Sequence, residues 1–142
     1  MRLQNVTFPT RQIFERSASF KFLTRDAPGV APHALTIVAS YTVPAGRAVY
    51  LSYSMAFARR ASAPTTSGLI VESIYILDAV GNKGRLLIWQ APLPNVNDNR
   101  LELATHGIYL TEGYKIEIAT EDLSSGGTVD YRIAVHFTEF QI

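Results

Sequence analysis

Val129-Asp130-Tyr131-Arg132-Ile133-Ala134-Val135-His136-Phe137-Thr138 alternates: large apolar residues stand at the odd positions and polar or small ones at the even positions. A period of two is what a β-strand needs to bury one face and wet the other, because successive side chains point to opposite sides. Similar runs extend upstream. Ala34–Val43 is rich in β-branched and aromatic residues. In the next run Val49, Leu51, Tyr53, Met55 and Phe57 share one expected face, and the opposite face carries Ala48, Tyr50, Ser52, Ser54, Ala56 and Ala58. The small residues on that second face would let another layer approach.

Turn chemistry separates the runs. Val43-Pro44-Ala45-Gly46 has Pro at the second and Gly at the fourth position of a type I turn. Arg59 to Gly68 and Ala91–Asn99 read as long loops. Leu69–Asp78 and Arg85–Gln90 flank the hairpin connection Ala79-Val80-Gly81-Asn82-Lys83-Gly84. Leu101–Leu110 and Tyr114–Thr120 flank Thr111-Glu112-Gly113, and Asp122–Gly127 is a further loop. No segment shows an amphipathic helical period. Seven or eight short strands at turn-marked spacing predict an all-β, antiparallel sandwich or barrel over residues 33–142.

Residues 1–32 follow different rules and are read as an N-terminal arm, bounded by Ala27-Pro28-Gly29-Val30-Ala31-Pro32. They hold five basic residues against Glu15 and Asp26, a charge of +3, whereas residues 33–142 carry −2. The arm also contains Phe8, Ile13, Phe14, Phe20, Phe22 and Leu23. Disordered tails lack such side chains, so this segment is expected to lie against a surface. A short strand is expected within it, over Ala18 to Thr24. Phe8, Arg11, Ile13, Phe14, Arg16, Phe20, Lys21 and Phe22 are its candidate partner-binding residues, with the aromatics as anchors and the cations facing an acidic surface. Composition leaves open whether the arm folds back on its own body or reaches a neighbour.

Chemistry is sparse. With no cysteine there are no disulfides or thiolate ligands. His33, His106 and His136 lack the spacing of a facial metal site, and His136 alternates outward on the last strand. Asn95-Val96-Asn97-Asp98-Asn99 starts like a calcium loop, but Arg100 stands where Gly is needed and His106 where Glu is needed. Glu121-Asp122 reads as a solvated acidic pair. No nucleophile elbow or phosphate cradle is present, so neither an enzyme nor a cofactor is expected. Trp89 follows Leu87 by two positions and reads as a core residue. Met1 to Gln12 lacks a signal-peptide core, and the longest uncharged stretch, Ala27 to Gly46, holds three prolines, so no membrane span is expected.

The cadence Tyr41-Thr42-Val43-Pro44-Ala45-Gly46-Arg47, then Leu110-Thr111-Glu112-Gly113-Tyr114-Lys115-Ile116, then Gly126-Gly127-Thr128-Val129-Asp130-Tyr131 resembles the trimeric jelly-roll decoration (auxiliary capsid) proteins of thermophilic long-tailed bacteriophages. The resemblance covers residues 35–142. It implies an antiparallel jelly-roll-like β-sandwich with an extended N-terminal arm that grips neighbours. It also implies a homotrimer on the outer surface of an expanded capsid, bound to the major capsid protein, made in the host cytoplasm, with no nucleic-acid or membrane partner. The rival expectation is a carbohydrate- or receptor-binding module of a phage tail or fibre, for which exposed aromatics around Trp89 would be the sign.

Overall fold

The computed structural model describes residues 19–30 and 36–142, with side chains from residue 39 onward. Eight strands follow in order: β1 (Ser19–Val30), β2 (Thr36–Thr42), β3 (Arg47–Ser62), β4 (Leu69–Leu77), β5 (Lys83–Pro92), β6 (Asn99–Thr111), β7 (Lys115–Asp122) and β8 (Thr128–Gln141). They form two four-stranded antiparallel sheets, ordered β1-β8-β3-β6 and β2-β7-β4-β5. Among the described strands only β4 and β5 form a hairpin within one sheet; every other connection joins strands of opposite sheets. This is the double Greek-key wiring of a jelly roll.

Two turns read from the sequence as strand–turn–strand units therefore join strands of different sheets. They meet at one end of the sandwich. Val43 N donates to Tyr114 O at 2.8 Å, Gly113 N to Val43 O at 3.0 Å, and Gly46 N to Glu112 Oε2 at 3.0 Å. Gly46 and Gly113 sit at φ of 67° and 83°, where a Cβ would be strained.

Between the sheets lie two apolar clusters. The larger gathers Val49, Leu51, Ile74, Ile116, Ile118, Ile133, Val135 and Phe137 with Val43 and Leu110. The smaller packs Ala56, Ala58, Ile70, Ala91, Leu93 and Val129 around Trp89. The alternation of the final strand is realised: Val129, Ile133, Val135 and Phe137 are all buried.

β1 lies wholly inside residues 1–32. It pairs with β8 from Ser19↔Glu139 to Val30↔Val129, with a bulge after Ala27. The strand expected over Ala18 to Thr24 is thus longer, and it is the outermost strand of the first sheet, folded on its own body. Phe20, Lys21 and Phe22 hold register opposite Thr138, Phe137 and His136. Phe8, Arg11, Ile13, Phe14 and Arg16 lie outside the described residues, as does His33.

The expected faces of β3 need correction. Ser52 is an extra residue against β8, where Leu51 opposes Phe137 and Tyr53 opposes His136. Its Oγ donates to the His136 carbonyl at 2.9 Å. One inserted residue reverses the facing of everything after it. Val49 and Leu51 point into the core, but beyond the bulge Ser54, Ala56 and Ala58 are the buried residues. The small residues admit Trp89 from the opposite sheet, the second layer expected against them, and Tyr53, Met55 and Phe57 turn to the outer face.

Candidate functional site

The bulge creates the most conspicuous surface of the protein. On the outer face of the first sheet, Tyr53, Met55 and Phe57 of β3 stand directly opposite Thr105, Leu103 and Leu101 of β6. Leu101, Leu103, Tyr53 and Tyr109 are 53%, 65%, 40% and 52% exposed, while Met55 and Phe57 are half-buried. The aromatic rings are ordered against one another. Tyr53 stacks on His136 with centroids 4.0 Å apart, Tyr50 tilts against Tyr109 at 5.0 Å, and Tyr109 meets Phe140 edge-on at 5.9 Å. Arg59 and Asp130 form an ion pair at the border of this face. Scattered exposed apolar residues are ordinary, but a contiguous field with a charged rim marks a docking surface. Sequence reading missed this face, because it grouped Tyr53, Met55 and Phe57 with the core residues Val49 and Leu51.

The interior carries a second set of polar groups. Arg60 is fully buried, with Nε donating to Leu93 O at 2.9 Å, Nη1 to Asp122 Oδ2 at 2.7 Å and Nη2 to Ser124 Oγ at 2.7 Å. Ser124 N donates to Asp122 Oδ1 at 2.9 Å and Gly68 N to Ser124 Oγ at 3.0 Å. The expected solvated pair Glu121-Asp122 is thus split: Asp122 is buried beneath Arg60, which extends β3 into what was read as a loop.

Glu72 is 1% exposed, and neither carboxylate oxygen has a hydrogen-bonding partner; it stands opposite Trp89 on β5 and Thr120 on β7. Burial pushes its carboxyl up to about 9. The folded state then holds one proton more than the unfolded chain between the ordinary carboxylate value and about pH 9. Stability contributed by neutral Glu72 is therefore full below that ordinary value and is lost as pH rises across the window, at ~1.4 kcal/mol per pH unit. Glu72→Gln, which cannot ionise, should flatten this slope. Urea unfolding of both proteins from pH 5 to 8 checks it: parallel pH profiles would contradict the assignment.

Burial lowers both described imidazoles below the usual range. His106 Nε2 lies 2.9 Å from Ser54 Oγ, and His136 faces outward against Tyr53. Among the described residues, no three His, Asp or Glu side chains gather as a metal site. Asn95–Asn99 forms a turn in which Asn95 N donates to Asp98 Oδ2 at 3.0 Å and Asn97 N to Arg60 O at 2.8 Å, with Asn97 at φ 66°. Its carboxylate caps backbone.

No family model matches the chain, and no curated protein matches it in sequence. Solved structures do. The chain is similar to dimeric latent PorU from Porphyromonas gingivalis, with TM-score 0.52 and 10% identity over 88% of this chain and 13% of that one. It also aligns with the Eiger TNF of S. frugiperda, TM-score 0.48 and 12% identity over 89% of this chain and 94% of that one. The globular domain of a zebrafish complement 1qA protein aligns with TM-score 0.48 and 14% identity, over 89% and 96%. At 10% identity the likeness to PorU is one of fold alone. Fold and wiring together define an antiparallel jelly-roll β-sandwich.

Proposed function

We propose that the protein is a non-enzymatic virion component that decorates and stabilises an expanded phage capsid as a homotrimer. The observation that carries self-association is the outer face around Tyr53, Met55, Phe57, Leu101 and Leu103, whose apolar side chains gain most by being covered. The sequence resemblance supplies the capsid and the number three. Stabilisation needs no chemistry: a ligand that binds only the assembled shell stabilises it by mass action, and three linked contacts add avidity. In this reading the outer capsid surface is the location and the major capsid protein the partner, with no nucleic acid or membrane involved. Phe8, Arg11, Ile13, Phe14 and Arg16 grip the neighbour. Phe20, Lys21 and Phe22 belong to β1, so their substitution also disturbs the sheet.

The sugar-binding rival loses its motivating feature, because Trp89 is only 6% exposed and packs in the core. Co-sedimentation with expanded phage heads is the test. Intact protein should pellet with the heads, and Leu103→Glu, which places a charge in the apolar face, should weaken retention at least tenfold. Intact, folded protein that stays in the supernatant would sink the capsid assignment.

A further inference from the structure

The two sheets come closer along one side of the sandwich than along the other. β1 and β2 approach each other at one side, whereas β5 and β6, the last described strands of their sheets, have no comparable approach at the other. A cavity of about 130 Å³ lies in that mouth, lined by Ser54 and Ala56 of β3, Leu87 and Trp89 of β5, and Glu102 and Ala104 of β6. Its size is close to that of an engineered ~150 Å³ cavity that admits benzene. Two further facts point to an occupant. Trp89 Nε1 is buried and has no acceptor, although buried indole N–H groups ordinarily find one. Beside the cavity runs the thirteen-residue β6, with no described strand on its far side. An edge of that length is a template for a further strand. Glu102, whose Oε1 accepts from Arg100 Nε at 3.0 Å, places an ion pair beside the mouth.

We propose that this opening is a socket for an extended peptide. The segment adds to the edge of β6 that no described strand pairs, one branched aliphatic or ring-sized side chain enters the cavity, and the backbone carbonyl of the same residue takes the Trp89 Nε1–H. The ladder supplies affinity without sequence preference, and the cavity selects by size and apolarity. Ala56 and Ala104 set the depth, since any larger residue at either position would occupy the space. The cavity shares Leu103 with the outer face proposed for self-association, so the two readings are separated by readout: the Trp89 resonance reports the socket, and co-sedimentation reports the capsid.

Trp89 is the chain's single tryptophan, so its indole N–H gives one NMR resonance that reports on the cavity. Titrating the intact protein with N-acetyl-leucine methylamide should shift that resonance saturably, with a Kd on the order of 1 mM. The lysine analogue should give no saturable shift. Ala104→Leu should abolish the leucine response while circular dichroism shows an unchanged fold, and Ala56→Val serves if that variant does not fold. No saturable shift up to tens of millimolar, equal response to both analogues, or an undiminished shift in the filled variant would overturn the socket. Saturation by cyclohexanol but not by the leucine derivative would make the cavity a small-molecule site and overturn peptide docking.

Discussion

Deleting residues 1–30 should cost the protein its cooperative fold, whereas deleting residues 1–18 should leave all eight strands in place. The longer deletion removes β1, and with it the ladder that pairs Ser19–Val30 with β8. β8 would then become a fourteen-residue edge carrying a full row of unpaired donors and acceptors. That strand is also central to the larger core cluster, to which it contributes Ile133, Val135 and Phe137. Loss of its outer neighbour therefore weakens the core as well as the edge, and the exposed strand invites aggregation. Differential scanning calorimetry separates the cases. The 1–18 deletion should show a single transition near that of the intact protein, and the 1–30 deletion a broad one or none. A sharp, unshifted transition after removal of β1 would mean that the strand is dispensable and that the body begins after residue 32.

The second large effect is expected at Arg60. Arg60→Ala should destabilise the fold by about 3–5 kcal/mol, because it strands Asp122 as a buried, uncompensated carboxylate and orphans the Leu93 carbonyl. The guanidinium ties β3 to the segment after β5 and to the loop after β7, so its loss also frees both chain segments at that end. Arg60→Lys should recover little, since one ammonium cannot reproduce the three-way geometry. The double variant Arg60→Ala/Asp122→Ala should cost less than the sum of the two single changes, the mark of direct coupling. Urea unfolding measures the four variants against the intact protein. A loss below about 1 kcal/mol for Arg60→Ala would show that the network does not hold the loops.

The limits of sequence reading follow from the kind of information each feature needs. The last strand was legible because its alternation is local and unbroken from Val129 to Phe137. The β4–β5 hairpin was legible for the same reason: Asp78 at its turn accepts from the Val80 and Asn82 amides, a purely local device. The facing of β3 was not, because a bulge at Ser52 is set by hydrogen bonds to β8, 84 residues away. Arg60 and Asp122 are 62 residues apart and look like ordinary surface charges until the fold brings them together. Pro28 and Gly29, read as part of the arm's boundary, fall inside β1, where its register against β8 shifts between Ala27 and Val30. The exposed face went unread for the same reason: Tyr53, Met55 and Phe57 were grouped with Val49 and Leu51 on one face until the bulge separated them.

Self-association through the outer face is the central claim, and the molar mass of the intact protein in solution tests it most directly. Light scattering at micromolar concentration should give three times the 15.7 kDa protomer, about 47 kDa, with Leu103→Glu shifting the mass downward. A monomer mass of 15.7 kDa for the intact, folded protein would contradict it.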